Sequence, residues 1–173
     1  METTRITEFR KGKNLFISTG LSKVKVTLDG EVNCLEIPIQ STGIAELIDA
    51  FEENAPTPPL GKQLVDPADP NDAIARDMKI SKKTWIKIPD LTDPEYIKAK
   101  EEHDSDMGTA ILMKGVAVPI LNEEGIEPES NKAKIDLLKE MGMSADQFTQ
   151  IVNDITSLTK WTEEEKEHFL GKE

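Results

Sequence analysis

The sequence is poor in most of the residues that chemistry needs. It has a single cysteine, Cys34, so an internal disulfide framework and a cysteine-built zinc site are both excluded. Only two histidines occur, His103 and His168. Its glycines include no G-x-G-x-x-G run and no G-K-[ST] pattern, so no phosphate-cradling loop is expected. Long apolar runs are missing as well. The stretch Ala110 to Leu121 is interrupted by Lys114, Gly115 and Pro119 and is far too short to cross a bilayer, so no membrane segment is expected. The first residues, Met1-Glu2-Thr3-Thr4-Arg5, lack a basic-then-apolar signal pattern, and the expected setting is the cytoplasm. Basic residues are in the minority: 21 Lys and Arg against 33 Asp and Glu give a net charge of −12, which argues against general binding of nucleic acid. Acidity of this size suits a protein that must stay soluble or meet a basic partner.

What is present favours architecture over chemistry. A length of 173 residues suits one domain, or one with a smaller appendage, and a hydrophobic content of 37% predicts a modest core. Residues 1–55 read as a hairpin with a packed helix. Val24-Lys25-Val26-Thr27-Leu28 alternates apolar with polar, Asp29-Gly30 is a turn pair, and Glu31 to Ile39 is strand-like again. Val24, Val26 and Leu28 share even parity with Val32 and Cys34, whereas Leu35, Ile37 and Ile39 are odd. The expectation is therefore a bulge near Cys34-Leu35, or a strand covered on both faces. Pro38 lacks an amide donor and predicts an edge position, and Asn14 to Ser18 is expected to add a strand. Ser41 or Thr42 then caps a helix whose Ile44, Leu47, Ile48 and Phe51 form one apolar stripe.

Residues 56–79 hold half of the ten prolines and few large apolar residues, which predicts an extended, solvated connector. Its Asp66-Pro67-Ala68-Asp69-Pro70-Asn71-Asp72 run invites a calcium reading, but the prolines and the lack of a terminal glutamate count against one. Residues 80–173 begin with the alternation Thr84-Trp85-Ile86-Lys87-Ile88 and then turn helical. Thr92-Asp93-Pro94-Glu95, Ser144-Ala145-Asp146-Gln147 and Thr162-Glu163-Glu164-Glu165 read as capping boxes, and Gly142 closes a helix carrying Ile135, Leu138 and Met141. The expected class is α+β: a small N-terminal antiparallel sheet with a packed helix, the connector, then a helical subdomain.

No reaction centre emerges from these elements. His103 would need helical partners three or four residues away, and only Asp106 qualifies, so a charged solvated helix face is expected there. His168 reads as a surface residue of a terminal helix. Cys34 has no base beside it and is expected to be a small core residue. Core roles are expected for Trp85 and Trp161, with interface anchoring as the alternative for each. No enzyme activity, cofactor or metal is expected. The residues most suited to binding another protein are the helical stripe Phe148, Ile151, Val152 and Ile155, together with Trp85.

The layout resembles the small acidic proteins of tailed-phage morphogenesis operons, tail assembly chaperones in particular. The likeness rests on the Asp29-Gly30 hairpin, the Ile44/Leu47/Ile48/Phe51 helix, the proline-rich middle and the helical half from Thr92 to Leu170. It is a likeness of form, and no family residue carries over by motif. It implies a non-enzymatic factor that coats the tape-measure protein, keeps it soluble and recruits tail-tube subunits. The implied partners are those proteins and further copies of itself, with no nucleic acid and no membrane. Alternatives are a tail-tube or connector component of the virion, or an acidic decoy of a nucleic-acid-binding protein; lysines interspersed among the acids count against the decoy.

Overall fold

Alternating residues around Asp29-Gly30 build a two-stranded antiparallel hairpin, β1 (Thr19–Leu28) and β2 (Glu31–Gln40). Positive φ at Asp29 (52°) and Gly30 (84°) closes its two-residue turn in the twisted form that hairpins prefer. The computed structural model describes residues 16–160. After the hairpin come α1 (Ile44–Glu53), β3 (Leu60–Val65), α2 (Ala73–Asp77), β4 (Thr84–Pro89), α3 (Pro94–Gly115), α4 (Asn131–Glu140) and α5 (Ala145–Ser157). The fold is α+β. Trp161, His168 and the capping box at Thr162 lie outside the described residues, as does Asn14; residues 16–18 precede β1 and form no strand.

The hairpin register removes the need for a bulge. A two-residue turn pairs Leu28 with Glu31, so every even position of β1 faces an odd position of β2, without interruption to Thr19 and Gln40. Ser22, Val24 and Val26 therefore share a face with Ile37, Leu35 and Asn33. Val32 and Cys34 fall on the opposite face, beside Thr27 and Lys25. Cys34 is exposed as a result, and the core role expected of it is not met.

Proline density divides the sequence at residues 55 and 79, whereas contacts divide the molecule into two units. One comprises the described residues up to Ala50 and from Met107 onward; the other runs from Phe51 to Asp106, so the boundaries fall inside α1 and α3. The first unit holds a continuous core. Val24 and Ile39 of the hairpin, Ile44 of α1, Ile111 and Leu112 of α3, Ile135 of α4, and Ile151 and Ile155 of α5 are all buried and packed together. The hairpin and helices α1, α3, α4 and α5 thus complete one another, as a two-stranded ribbon requires.

Part of each edge of that ribbon is occupied. On one side Ile39 bridges Val116, and the Pro38 carbonyl accepts the Ala117 N–H at 2.9 Å. On the other, the side-chain amides of Gln147 and Gln150, one helical turn apart on α5, donate to the carbonyls of Lys25 (2.8 Å) and Lys23 (2.6 Å). Buried Ser22 donates to Asp154 of the same helix at 2.6 Å. These polar ties fix α5 along β1, and its apolar stripe then points inward.

The second unit pairs β3 with β4 in antiparallel register from Leu60–Pro89 to Val65–Thr84. The expected connector therefore carries a strand and, in α2, a five-residue helix. Its aspartates act as internal caps. Asp72 accepts from the N–H groups of Ala75 and Asp66, Asp69 accepts from Asn71, and Asp66 accepts from Ala68 and from Lys83. The Lys83 hydrogen bond and that from Ala68 hold the Asp66 carboxyl below its ordinary range, and the Ala75 and Asp66 amides do the same for Asp72. At the start of α3 the cap is Asp93, which accepts from Tyr96 at 2.8 Å with Pro94 in the first turn, while Thr92 turns back to Asp90. His103 is not on a solvated face: its ring meets Phe51 edge-on at 5.4 Å, and Nε2 lies 2.9 Å from the Phe51 carbonyl.

Candidate functional site: an apolar groove on the hairpin face

The C-terminal helices take the positions that their caps dictate. Ser130 accepts from Ala133 to start α4, and the Met143 N–H returns to the Leu138 carbonyl to end it, around Gly142 at φ +92°. The single residue between that glycine and Ser144 leaves the chain no room to wander. Ser144 and Gln147 then form the reciprocal capping box of α5. The resulting tight α4–α5 turn lies beside the middle of the hairpin's inner face, around Val24 and Leu35.

Between them is a groove of about 220 Å³. Its walls are Val24, Val26, Leu35 and Ile37 from the hairpin, and Leu138, Met141, Met143 and Ile151 from the helices and their turn, with Gly142 and Gln147 at the corner. No charged side chain lines it. Val24 and Ile151 form the floor, each 3% exposed, whereas Leu35 is 49% and Met141 63% exposed at the rim. Two large apolar side chains thus stand in water on either side of an apolar floor, with Lys139 and Glu140 exposed beside them on α4.

The stripe singled out from the sequence divides between roles. Ile151 belongs to the groove floor and to the core. Ile155 is 1% exposed and packs where α3 ends, so closely that a β-carbon on Gly115 would come 2.5 Å from its Cγ2. Phe148 lies half-buried over Gly108 of α3, and Val152 is half-buried against the same cluster. Trp85 belongs to the other unit, where it stands 64% exposed on β4; the core role expected of it does not hold, because Leu64 is its cross-strand neighbour on the outer face. Sequence reasoning missed Leu35. Its signal was the arithmetic of the two-residue turn, which pairs it with Val24.

The groove is apolar throughout, and its lining offers no nucleophile, general base or ligand set. Among the described residues no group of three or more His, Cys, Asp or Glu converges on a common point. Among them, too, no helix is long and apolar enough to cross a membrane. Comparison with protein-family models, with curated proteins and with solved structures finds no match to this chain.

Proposed function

We propose that this protein is a non-enzymatic protein-interaction factor that holds an apolar segment of a client in the hairpin groove, in the manner of a phage tail assembly chaperone acting in the host cytoplasm. The observation that carries the reading is the uncharged groove with Leu35 and Met141 left in water at its rim. An amphipathic client helix would cover both side chains and complete the core that Val24 and Ile151 begin. The chain's net charge of −12 keeps such a carrier dispersed while its apolar rim is open. The tape-measure protein, as a long helical client, is the partner that the resemblance of layout implies.

The test separates binding from folding. Met141→Lys suits the C-terminal end of α4, where a cation is favoured, and Leu35→Lys alters the opposite rim. Burying either side chain is worth roughly 1.5–3 kcal/mol, so each variant should weaken binding of a labelled amphipathic helix with a Leu/Ile stripe by about tenfold or more. The melting curves should stay near that of the parent. Absence of binding by the parent, or loss of binding only in step with unfolding, refutes the groove. Failure to solubilise a co-expressed tape-measure protein, with helix binding intact, would refute the chaperone assignment alone.

A further inference from the structure

The second unit presents a face of the opposite electrical character. Residues 60–89 carry six Lys and Arg (Lys62, Arg76, Lys79, Lys82, Lys83, Lys87) against four Asp, within a chain of net charge −12. The β3–β4 register sorts these strands into two faces. Val65, Ile86 and Ile88 point to the buried or half-buried side, and Leu60, Lys62, Leu64, Trp85, Lys87 and Pro89 to the exposed side. On that exposed side the cross-strand pairs run Leu60–Pro89, Lys62–Lys87, Leu64–Trp85. The order is apolar, doubly cationic, apolar.

Two features of this arrangement work against the isolated fold. Like charges set directly across a strand pair repel one another, and neither lysine has a carboxylate partner among the described residues. Trp85, the largest side chain of the unit, is 64% exposed, and Leu60 at the other end of the face is 66% exposed. Lys62, Trp85 and Lys87 border one hollow of about 480 Å³. An anion between the two ammonium groups removes the repulsion, and an apolar group on Trp85 covers its ring.

We propose that this face binds an extended acidic segment of a partner protein with the pattern apolar-x-Asp/Glu-x-apolar. The spacing follows from the strands. Successive pairs on one face are two residues apart, roughly 6.6–6.8 Å, which is also the repeat of alternate side chains in an extended peptide laid along them. Its carboxylate then meets Lys62 and Lys87 while its flanking apolar residues lie on Leu64/Trp85 and Leu60/Pro89. A single peptide carboxylate is favoured over nucleic acid because two lysines suffice to neutralise one such group, whereas the −12 chain repels the many charges of a phosphate backbone more strongly than one carboxylate. The site lies in a different unit from the hairpin groove and stands or falls independently of it.

The probe is a labelled peptide containing Leu-Ser-Glu-Ser-Phe, added to the full chain and followed by fluorescence anisotropy at low salt. Binding should weaken as salt is raised, fall at least tenfold in the double variant Lys62→Gln/Lys87→Gln, and fall in Trp85→Ala. A peptide with Gln for Glu should bind at least tenfold more weakly. The double variant should melt no lower than the parent, since it removes a repulsion, so its lost binding cannot be laid to misfolding. No binding by the parent, equal binding of the Gln peptide, or binding that the double variant leaves unchanged overturns the proposal. Binding of oligothymidylate in place of the peptide overturns it in favour of single-stranded nucleic acid.

Discussion

Helix α3 offers one substitution at two sites with opposite expected outcomes. At Gly115 a β-carbon would lie 2.5, 2.6 and 2.8 Å from Cγ2, Cδ1 and Cγ1 of Ile155. That isoleucine is 1% exposed and β-branched, so it has neither room nor rotamer freedom to withdraw. Overpacking of this kind costs about 1–3 kcal/mol. Replacing glycine by alanine returns at most about 1 kcal/mol of helix propensity, and less at the last residue of a helix. Gly115→Ala should therefore lose about 1–2 kcal/mol net. At Gly108, in the middle of the same helix, the new carbon would meet Phe148 Cε1 and Cζ at 3.2 and 3.3 Å, so that the half-buried ring need give by only a few tenths of an ångström. There the propensity gain should cancel the cost. Urea unfolding followed by circular dichroism, with equal m-values, measures both. Ile155→Val removes one of the three clashing atoms, so it should cost less in the Gly115→Ala background than in the parent. A Gly115→Ala protein as stable as the parent, or as stable as Gly108→Ala, would show that α3 and α5 do not approach as described and would undo the account of the core.

The hairpin turn is tested by Gly30→Val: with φ at +84° and open space around the residue, the penalty is backbone strain alone, about 1–3 kcal/mol, read as a lower urea midpoint, and an unchanged midpoint would remove the turn from the argument. Because Asp66 and Asp72 are held below their ordinary pKa of 3.8, their contribution to the 66–72 loop is complete above that value and is lost as pH falls through the lower folded-state values; Lys83, raised above 10.5, loses its share only on the alkaline side. Amide protection factors at Ala68 and Ala75, taken against the intrinsic exchange rate at each pH, should therefore stay constant from neutrality down to about pH 4 and fall below it, and a fall already near neutrality would contradict the capping scheme.

How far the sequence discloses the fold depends on how local the signal is. As caps, Ser130, Ser144, Gly142 and the Gln147 side-chain oxygen act on groups within four residues of themselves, and the helices begin and end where those residues place them. The Asp29-Gly30 turn is equally local. The register error came from a comparison made along the chain: equal parity decides a shared face within one strand, whereas across a two-residue turn the paired positions differ in parity. The strand β3 was hidden for a different reason. Its partner β4 follows only after residues 66–83, and Leu60-Gly61-Lys62-Gln63-Leu64-Val65 keeps just Val65 fully buried, too weak a pattern to stand out among prolines. For Ser41 and Thr42 the residue types suit a cap, yet the Ser41 hydroxyl accepts from the distant Ser18 N–H and the Thr42 hydroxyl donates to Gln40.

The candidate binding surfaces follow the same division. A helical stripe in a sequence does not distinguish residues that bury one another from residues kept for a partner, because both need the same spacing. The difference lies in what arrives from elsewhere in the chain. The hairpin covers Ile151 and Ile155 on α5 but stops short of Met141, which is left beside Leu35. The glutamine amides of α5 occupy the carbonyls of Lys23 and Lys25, and Ala117 occupies that of Pro38, so at these positions an incoming strand finds its acceptors already engaged. What the hairpin can still offer there is the side-chain surface at its inner end. On the proposed reading a client would therefore meet this unit through apolar side chains pressed into the groove, which is why a charge at Leu35 or Met141 is the substitution expected to weaken its binding.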